Sequence, residues 1–333
     1  MKMFRKILMP FVPLYFVATW VRNFCFNQKL FESKSFNFPI ICVGNLNVGG
    51  TGKTPMIEYL IRLLETKHKI TTLSRGYGRQ TKGFIIADNN ATSQIIGDEP
   101  FQFYQKFSNI TVVVGEDRRL AIESLIKLNK EPKLLLLDDA FQHRQVYSGL
   151  NILLTSYDDL YVDDMLLPVG NLRESKSGSD RADIVVVTKC PHDITQQKCF
   201  QIKQRLSIKS YQKLFFSYIG YSQFIYSQQQ EMSLKTLTNK KFTLVTGIAN
   251  PKPLVNYLTE EGLIFKHLVF RDHYDFKQLD ILNFQKEEII VTTEKDYVKL
   301  EGKVDDHKLF YLPIQTKILN SNSFDSAIES FLK

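Results

Sequence analysis

Short apolar runs alternate with amphipathic segments along most of the chain. The runs IICVG, KITTLS, ITVVVG, KLLLLDD, LNILLTS and ADIVVVTK are continuous, and segments such as MIEYLIRLLE and RRLAIESLIKL, which have helical spacing, lie between some of them. Continuous runs of β-branched residues and leucine are typical of strands that are buried on both faces. The pattern therefore predicts an α/β fold with a mostly parallel sheet flanked by helices.

A second, shorter series follows a polar interval. After the candidate strand KLFFSYIGY comes YSQQQEMSLKTLTNKK, and then FTLVTG, PLVNYLTEEG, EIIVTTEKD and LFYLPIQ resume the alternation of strands and helices. We predict a larger domain over 29–210, linker strands over 211–240 and a second, smaller α/β domain over 241–333.

The first 28 residues have a different pattern. Basic residues at Lys2, Arg5 and Lys6 precede an apolar run over 7–21 that contains two prolines. A membrane-spanning helix needs about 20 apolar residues, and a signal peptide needs a small-residue cleavage site, which is missing after this run. We predict a membrane-associated helix over 1–28 that lies in the interface. The alternative is a helix docked on the core of the domain.

The composition is that of a globular protein. The 333 residues are 44% apolar and 23% charged, which argues against intrinsic disorder. The net charge of +8 suits an anionic partner, but a solvated surface explains it equally well. The four cysteines form no CxxC pair, which argues against a zinc site or a disulfide framework and suits a reducing cytosol.

The stretch CVGNLNVGGTGKTP has the features of a phosphate-binding loop. Such a loop turns backbone N–H groups towards the phosphates and adds a lysine and a hydroxyl, which Lys53 and Thr54 provide. Asn47 stands where the first glycine of G-x-x-x-x-G-K-[ST] is usual, and asparagine tolerates positive φ. We predict nucleotide binding by Asn47, Val48, Gly49, Gly50, Thr51, Gly52, Lys53 and Thr54.

Two adjacent aspartates, Asp138 and Asp139, end the run of four leucines. In nucleotide-binding proteins of this kind an acidic residue at the end of a neighbouring strand holds magnesium. We predict a Mg²⁺ site formed by Thr54, Asp138 and Asp139, and the sequence leaves open which aspartate contacts the metal. The alternative is that the pair only caps the strand in solvent.

Other classes of P-loop protein lack support. A guanine-selective protein has [NT]-K-x-D; here Thr188 and Lys189 are present, but Pro191 occupies the aspartate position. ATPases that cycle on membranes carry a second lysine where this chain has Val48. A metallochaperone GTPase needs a CxC or histidine-rich tract, and neither occurs. A nucleotide-gated membrane ATPase switch and a metallochaperone GTPase remain the alternative functions.

Seven motifs follow one another along the chain, namely GNLNVGGTGKTP, SRGYGR, GDEP, LLLLDDAFQHR, LLPVGNLRE, VTGIANP and VTTEKD. Together they resemble the tetraacyldisaccharide 4'-kinases, the lipid A kinases of Gram-negative envelopes. The resemblance implies a P-loop kinase domain over 29–210 and transfer of the ATP γ-phosphate to the 4'-hydroxyl of a tetraacyldisaccharide 1-phosphate.

The same resemblance implies the partners and the location. ATP and Mg²⁺ would be the cofactors, and the lipid A disaccharide precursor the substrate. The enzyme would work as a peripheral or monotopic protein at the cytoplasmic face of the bacterial inner membrane. We expect neither a nucleic-acid partner nor an obligate protein partner.

The resemblance also implies roles for site residues. Lys53 would meet the β- and γ-phosphates, and Thr54 and Asp139 the magnesium ion. Asp98 of GDEP would meet the acceptor hydroxyl, and His273 would support Asp98 from the second domain. From position alone, Asp98 could equally cap a helix and His273 could be an ordinary surface histidine.

Further roles concern the nucleotide and the lipid. Glu174 would lie near the nucleotide, while Tyr77 and Arg118 would meet the lipid substrate. Arg75 of SRGYGR is another candidate for the lipid, because basic and aromatic groups suit a phosphorylated sugar. Arg75 and Arg79 could equally be solvated loop charges. The segment DHYDF departs from the family pattern, since Tyr274 stands where histidine is more usual.

Overall fold

The structure, a computed structural model, describes residues 5–272 and 274–333. Its strands, in chain order, are β1 (Ile40–Asn45), β2 (Ile70–Ser74), β3 (Ile85–Ile86), β4 (Thr111–Val114), β5 (Leu134–Asp138), β6 (Leu150–Ser156), β7 (Ile184–Thr188), β8 (Lys213–Tyr221), β9 (Phe224–Tyr226), β10 (Glu231–Ser233), β11 (Phe242–Thr246), β12 (Phe265–Val269), β13 (Ile290–Thr293), β14 (Leu309–Leu312) and β15 (Ile314–Ile318).

The α-helices are α1 (Val12–Asn27), α2 (Lys53–Leu64), α3 (Ser93–Ile96), α4 (Asp98–Lys106), α5 (Arg118–Lys127), α6 (Gln196–Leu206), α7 (Lys252–Glu260), α8 (Gln278–Phe284), α9 (Glu294–Leu300) and α10 (Ser321–Leu332). Short 3₁₀ helices cover Lys6–Phe11, Tyr161–Asp163, Lys176–Arg181 and Leu234–Leu237.

The larger sheet has the strand order β15-β8-β7-β6-β1-β5-β2-β4-β3. Its inner strands run parallel, while β3 and β15 run antiparallel to their neighbours at the two edges. Strands β1, β2, β5 and β7 are buried along their whole length, which explains their continuous apolar runs. The predicted mostly parallel α/β architecture is confirmed.

Helices cover both faces of this sheet. On one face, Ile57 of α2, Phe103 of α4 and Phe324 of α10 are fully buried in one cluster with residues of the strands. On the other face, Ile122 and Leu125 of α5 pack in a second cluster. The apolar residues of α2 recur at intervals of three and four, so that one side of the helix faces the sheet.

A smaller sheet carries the second domain, with the order β10-β9-β14-β13-β11-β12. Strand β11 is parallel to β12 and β13, and β13 is parallel to β14. Leu254 and Leu258 of α7 pack in the cluster on one face. Tyr297 and Leu300 of α9 pack with Phe284 of α8 in the other.

The carboxyl-terminal segment returns to the larger domain, which differs from the predicted division at 241–333. Strand β15 pairs antiparallel with β8, and Phe324 of α10 packs edge-on against Phe215 of β8, with ring centroids 5.1 Å apart. Strand β8 itself, predicted as part of a linker over 211–240, is a full strand of the larger sheet. The pairing protects β8 from becoming a bare sheet edge.

The amino-terminal segment lies on the surface. Within the part of the chain that the structure describes, Ile7–Asn27 is the one stretch that is long and apolar enough to cross a membrane by length and composition. Most of its apolar side chains are exposed, namely Ile7, Leu8, Met9, Phe11, Leu14, Phe16, Val17, Trp20, Val21 and Phe24. This exposed face is consistent with membrane association.

Candidate active site

The candidate site lies at the carboxyl edge of the larger sheet. Because neighbouring parallel strands end at the same edge, the loops after β1, β2, β5 and β7 come together there. These strands end at Asn45, Ser74, Asp138 and Thr188. The order β7-β6-β1-β5-β2 places the loop after β1 near the middle of the edge.

The loop after β1 has the conformation of a phosphate-binding loop. Gly52 adopts a left-handed φ of +83°, a conformation that side chains other than glycine rarely tolerate, and α2 begins at the next residue, Lys53. The Oγ1 of Thr188 donates to the carbonyl of Thr51 at 2.8 Å. The first turn of α2 thus points backbone N–H groups into the loop, where an anion is favoured.

Asn47 does not use the positive φ that the sequence suggested, since its backbone is not among the left-handed residues. It forms a bridge with Leu172, and its Nδ2 donates to Oδ2 of Asp164 at 3.0 Å. The tight turn needed for the loop comes from the glycines that follow. Asn47 is buried and ties the loop to the segment before Glu174.

Lys53 points towards the acidic end of β5. Its Nζ lies 3.7 Å from Oδ2 of Asp139 and 3.4 Å from Oδ1 of Asn45. Arg173 contacts the other carboxylate oxygen, because its Nη2 donates to Oδ1 of Asp139 at 2.8 Å and also to Oδ1 of Asn45. Two cations and one carboxylate therefore meet beside the loop.

The charge state of Asp139 follows from these neighbours. Burial alone would raise its pKa, but the charges of Lys53 and Arg173 hold the pKa of Asp139 below its ordinary value. Its backbone adopts a φ of +47°, which aspartate tolerates better than most residues. Asp139 is thus an ionised carboxylate at the neutral pH of a cell.

Asp138 lies deeper than Asp139. Its Oδ2 accepts a hydrogen bond from Oγ of Ser74 at 3.2 Å, while its Oδ1 is buried and has no hydrogen-bond partner among the described residues. Burial, together with the negative charge of Asp139, raises the pKa of Asp138 to about 6. A buried oxygen without a partner costs free energy, so this atom is suited to a ligand that brings positive charge.

The residues present fit a magnesium ion that arrives with a nucleotide. Among the residues that the structure describes, no three His, Cys, Asp or Glu side chains form a ready cation cage. A nucleotide-bound magnesium ion needs only one or two carboxylates, with phosphate and water completing its shell. Asp138 and Asp139 meet that requirement, and Thr54 follows Lys53 in the first turn of α2.

Arg118 lies behind the site rather than in it. It is 1% exposed, and its guanidinium donates to the carbonyls of Gly115 at 2.8 Å and Asp138 at 3.3 Å. Burial lowers the pKa of Arg118 to about 10, although the nearby aspartates oppose the shift. The side chain braces the turn after β5, and this geometry gives no support to a direct lipid contact.

Asp98 is the first residue of α4. The preceding Gly97 has a φ of +95°, and a Cβ there would lie 3.0 Å from the carbonyl oxygen of Tyr77. This close approach places the SRGYGR loop beside the start of α4. The side chain of Tyr77 is 68% exposed and Arg75 is exposed as well, so both are accessible to a large substrate.

Asp98 pairs with the second domain. Nζ of Lys299 lies 3.3 Å from Oδ2 of Asp98, and the two side chains are 8% and 18% exposed. His273 lies outside the described residues, so its predicted support of Asp98 stays a prediction. Its neighbours Asp272 and Tyr274 are on the loop between β12 and α8, on the side of Lys299.

Glu174 is a buried junction. Its carboxylate accepts hydrogen bonds from Nη2 of Arg181 at 2.7 Å, Nδ2 of Asn23 at 2.9 Å and Nε2 of Gln142 at 3.0 Å. These donors belong to a 3₁₀ helix, to α1 and to the loop after β5. Proximity of Glu174 to a nucleotide stays a prediction, while its contacts show a carboxylate that joins three segments.

Sequence reasoning missed three residues of this constellation. Arg173 stands next to Glu174 in the motif LLPVGNLRE, and Asn45 lies in the quoted loop. In the sequence Lys189 belongs only to an incomplete guanine motif, yet its Nζ donates to the carbonyl of Gly50 at 2.5 Å. The motifs contained all three, but only the folded chain shows which of their side chains turn towards the loop.

Comparisons with known proteins agree with the motifs. A family model described as tetraacyldisaccharide-1-P 4'-kinase matches residues 4–333. The tetraacyldisaccharide 4'-kinase of Flavobacterium johnsoniae is 48% identical over 337 residues, which cover 100% of this chain and 98% of that protein. The corresponding protein of Bacteroides fragilis is 42% identical over 350 residues, which cover 98% and 93%.

A solved structure supports the same conclusion. The crystal structure of LpxK from Aquifex aeolicus in complex with ATP matches with a TM-score of 0.81 at 30% identity, and the match covers 99% of this chain and 100% of that one. The resemblance inferred from the motifs is thereby confirmed. The chain belongs to the tetraacyldisaccharide-1-P 4'-kinase family.

Proposed function

We propose that this chain is a kinase that transfers the γ-phosphate of ATP to the 4'-hydroxyl of a tetraacyldisaccharide 1-phosphate, a step in lipid A biosynthesis. The observation that carries the proposal is the meeting of Lys53, Asp138 and Asp139 beside a glycine-rich loop. Phosphoryl transfer asks a protein mainly for alignment and for stabilisation of charge on the phosphoryl oxygens. This arrangement is suited to both.

The nucleotide side of the site has a clear division of roles. The N–H groups of the loop hold the phosphates, and Lys53 neutralises charge on the transferring group. Nζ of Lys53 lies 3.7 Å from Oδ2 of Asp139, beside the loop that would hold the phosphates. Arg173, held between Asn45 and Asp139, adds a second cation at the same place.

Thr54, Asp138 and Asp139 would hold magnesium. The ion, when bound, supplies charge neutralisation between the phosphates of ATP. Oδ1 of Asp138 would serve as a ligand, because it is buried and accepts no hydrogen bond from the part of the chain that the structure describes. Asp139 has both oxygens in contact with cationic side chains, so Oδ1 of Asp138 is the acceptor that remains for the ion.

We propose that Asp98 contacts the hydroxyl group that accepts the phosphate. A carboxylate that takes or orients the hydroxyl proton supplies general-base assistance, which is worth about 10²–10⁴ in rate. We propose that His273, on the loop of the second domain, supports Asp98. Tyr77 and Arg75 would meet the sugar and its phosphate from the exposed SRGYGR loop, because charge-assisted hydrogen bonds suit such groups.

The location follows from α1. Its exposed apolar face suits a helix lying in a membrane interface, whereas Nη1 of Arg5, which precedes α1, donates to Oδ1 of Asn171 at 2.9 Å. We propose that the enzyme works at the cytoplasmic face of the inner membrane, as a peripheral or monotopic protein. There it would need neither a nucleic acid nor a protein partner. The same surface brings the enzyme to a lipid substrate that remains in the bilayer.

The decisive experiment incubates the purified chain with ³²P-labelled ATP and tetraacyldisaccharide 1-phosphate in mixed micelles, and then locates the new phosphate by NMR. We expect label on the 4'-oxygen, with ATP turnover dependent on the lipid. GTP serves as the competing donor. Lipid-independent ATP hydrolysis would favour a membrane ATPase switch, and preferential GTP hydrolysis would favour a metallochaperone; either result overturns the proposal.

A further inference from the structure

Helix α9 presents two lysines to the start of α4. Lys295 and Lys299 are four residues apart, so they lie on one side of the helix. Nζ of Lys299 is 3.3 Å from Oδ2 of Asp98, and Nζ of Lys295 is 3.8 Å from Oε1 of Glu99. Two consecutive acidic residues of the larger domain therefore face two lysines of the smaller one.

The same two lysines also hold the loop between β12 and α8. Nζ of Lys299 donates to the carbonyl of Tyr274 at 3.3 Å, and Nζ of Lys295 lies 3.6 Å from Oδ1 of Asp272. These two residues flank position 273. Each lysine thus joins the beginning of α4 to the loop that carries the residue expected to support Asp98.

The pair of Lys299 and Asp98 is shielded from water. Lys299 is 8% exposed and Asp98 18%, whereas Lys295 and Glu99 are 23% and 24% exposed. Ion pairs on the surface contribute little, but an ion pair withdrawn from water depends strongly on its partner, because a lone buried charge is costly. The inner pair therefore constrains its carboxylate more than the outer pair does.

Helix α9 is itself firmly placed. Asp296 is fully buried and accepts hydrogen bonds from the backbone N–H of Gly247 at 2.8 Å and from Oγ1 of Thr293 at 2.7 Å. Leu300 is buried in the apolar cluster of the second domain. The two lysines consequently extend from a rigid element, and their position follows the second domain.

We propose that Lys299 is a positioning residue for phosphoryl transfer, assisted by Lys295. Its ammonium group fixes the orientation of the Asp98 carboxylate and links it to the backbone carbonyl of Tyr274. The acceptor side of the site is therefore complete only when the second domain rests against α4. This inference depends on the proposed function, since it assigns a purpose to Asp98 as the residue that meets the acceptor hydroxyl.

A purely structural role for Lys299 is separable from this one. Other contacts also hold the two domains together. Lys106 of α4 binds Glu294 of α9, and Nε2 of Gln105 donates to Oε2 of Glu301 at 2.7 Å. Removing Lys299 leaves these contacts in place. The nucleotide loop belongs to the other domain, so ATP binding does not require Lys299 directly.

The test compares steady-state kinetics of the full-length chain with Lys299→Met, Lys299→Arg and Gln105→Ala. We expect Lys299→Met to lower kcat about 10- to 100-fold, the cost of a misplaced catalytic group, while the KM for ATP stays within about threefold. Lys299→Arg should recover most of kcat. Gln105→Ala, which breaks the contact between α4 and Glu301 just after α9, should stay near the parent value.

A double variant keeps the test decisive if Lys299→Met folds poorly. Asp98→Asn combined with Lys299→Met removes both charges of the ion pair, and its kcat should match that of Asp98→Asn alone. A kcat for Lys299→Met within about twofold of the parent, or multiplicative losses in the double variant, overturns the inference. An inactive parent chain instead overturns the proposed function, so the two failures are distinguishable.

Discussion

Nδ2 of Asn23, on the polar side of α1, donates to Oε2 of Glu174 at 2.9 Å. Eight residues earlier in α1, the Tyr15 hydroxyl donates to the backbone carbonyl of Arg173 at 2.8 Å. Arg173 in turn contacts Asp139 at the nucleotide loop. The helix with the exposed apolar face is therefore connected to the site through two adjacent residues.

This connection separates two effects of losing α1. Deleting residues up to about Phe24 should release the protein from anionic vesicles and raise the requirement for lipid substrate, because the apolar face is lost. The KM for ATP should rise as well, because the deletion also removes the contacts of α1 with Arg173 and Glu174. A truncated chain that sediments with vesicles as well as the full chain does would contradict the membrane proposal.

Single substitutions can divide the two effects. Asn23→Ala should raise the KM for ATP several-fold, on the order of one lost hydrogen bond to a charged group, while vesicle binding stays unchanged. Trp20→Ser, at a side chain that is 50% exposed, should do the reverse. Flotation with liposomes and kinetics in soluble micelles measure the two properties. Equal effects of both variants on both properties would contradict the connection.

The second prediction concerns Lys53. Lys53→Ala should lower phosphoryl transfer by at least about 10²–10³, because the lysine neutralises charge that develops on the transferring group. The fold should persist, since Lys53 is the first residue of α2 and its ammonium group contacts Asn45 and Asp139 rather than the apolar core. Circular dichroism and thermal unfolding check the fold. Activity within a few-fold of the parent would remove the loop from the reaction.

The third prediction concerns Arg173. Arg173→Lys should lower kcat about 10- to 100-fold, because a single ammonium cannot reproduce a planar guanidinium that contacts both Asn45 and Asp139. The control is Arg205→Lys, whose parent residue pairs with Asp163 at 2.6 Å on an exposed surface. That control should be neutral. Similar kinetics for the two variants would show that Arg173 is an ordinary surface cation.

The fourth prediction treats Asp98 and His273 as one unit. Alanine at either position should lower kcat strongly with little change in the KM for ATP, and the double variant should be far less damaged than the product of the single losses. A complete kinetic cycle at saturating ATP measures this coupling. Multiplicative losses, or a near-normal kcat for His273→Ala, would show that the two residues act independently.

The fifth prediction concerns pH and the domain contact. Burial, together with the carboxylate of Glu58, raises the pKa of Glu294 to about 7, although Lys106 opposes the shift. The folded chain therefore binds this proton more tightly than the unfolded chain does. Its stabilising effect is complete below the unfolded pKa near 4.5 and is lost as pH rises through about 7.

Thermal unfolding of the parent and of Glu294→Gln tests this sign. The melting temperature of the parent relative to the variant should fall between about pH 5 and about pH 8, because the parent alone loses the proton. Glu301→Gln, at the other end of α9, should show no such trend. A difference that stays constant or grows with pH would contradict the assignment to Glu294.

Much of this arrangement was predictable from the chain. The loop with Lys53 and Thr54, the aspartates at the end of β5 and the apolar amino-terminal helix all depend on residues close in sequence, whose types and spacing are specific to their chemistry. The continuous apolar runs predicted the parallel sheet for the same reason. Short elements such as β3 and β9 carried no such pattern.

Other features came from contacts between distant residues. Ion pairs such as Asp98 with Lys299 join positions far apart in the chain, and nothing in the local pattern of VTTEKDYVKL shows what its lysines face. Arg118 shows the same dependence on distant contacts. The family resemblance implies that it meets the lipid, but the folded chain buries it against carbonyl groups. Side-chain direction at a helix start depends on packing around it.

By itself the sequence determined the α/β class, the nucleotide loop, the family and the apolar amino terminus, because periodicity and motif spacing act over a few residues and survive in any fold that can accommodate them. Only the tertiary structure decided that β15 and α10 return to the larger sheet, that Arg173 and Lys189 reach the loop, and that α9 faces α4. Those outcomes depend on which distant surfaces exclude water together, and such pairing is a property of the whole folded chain.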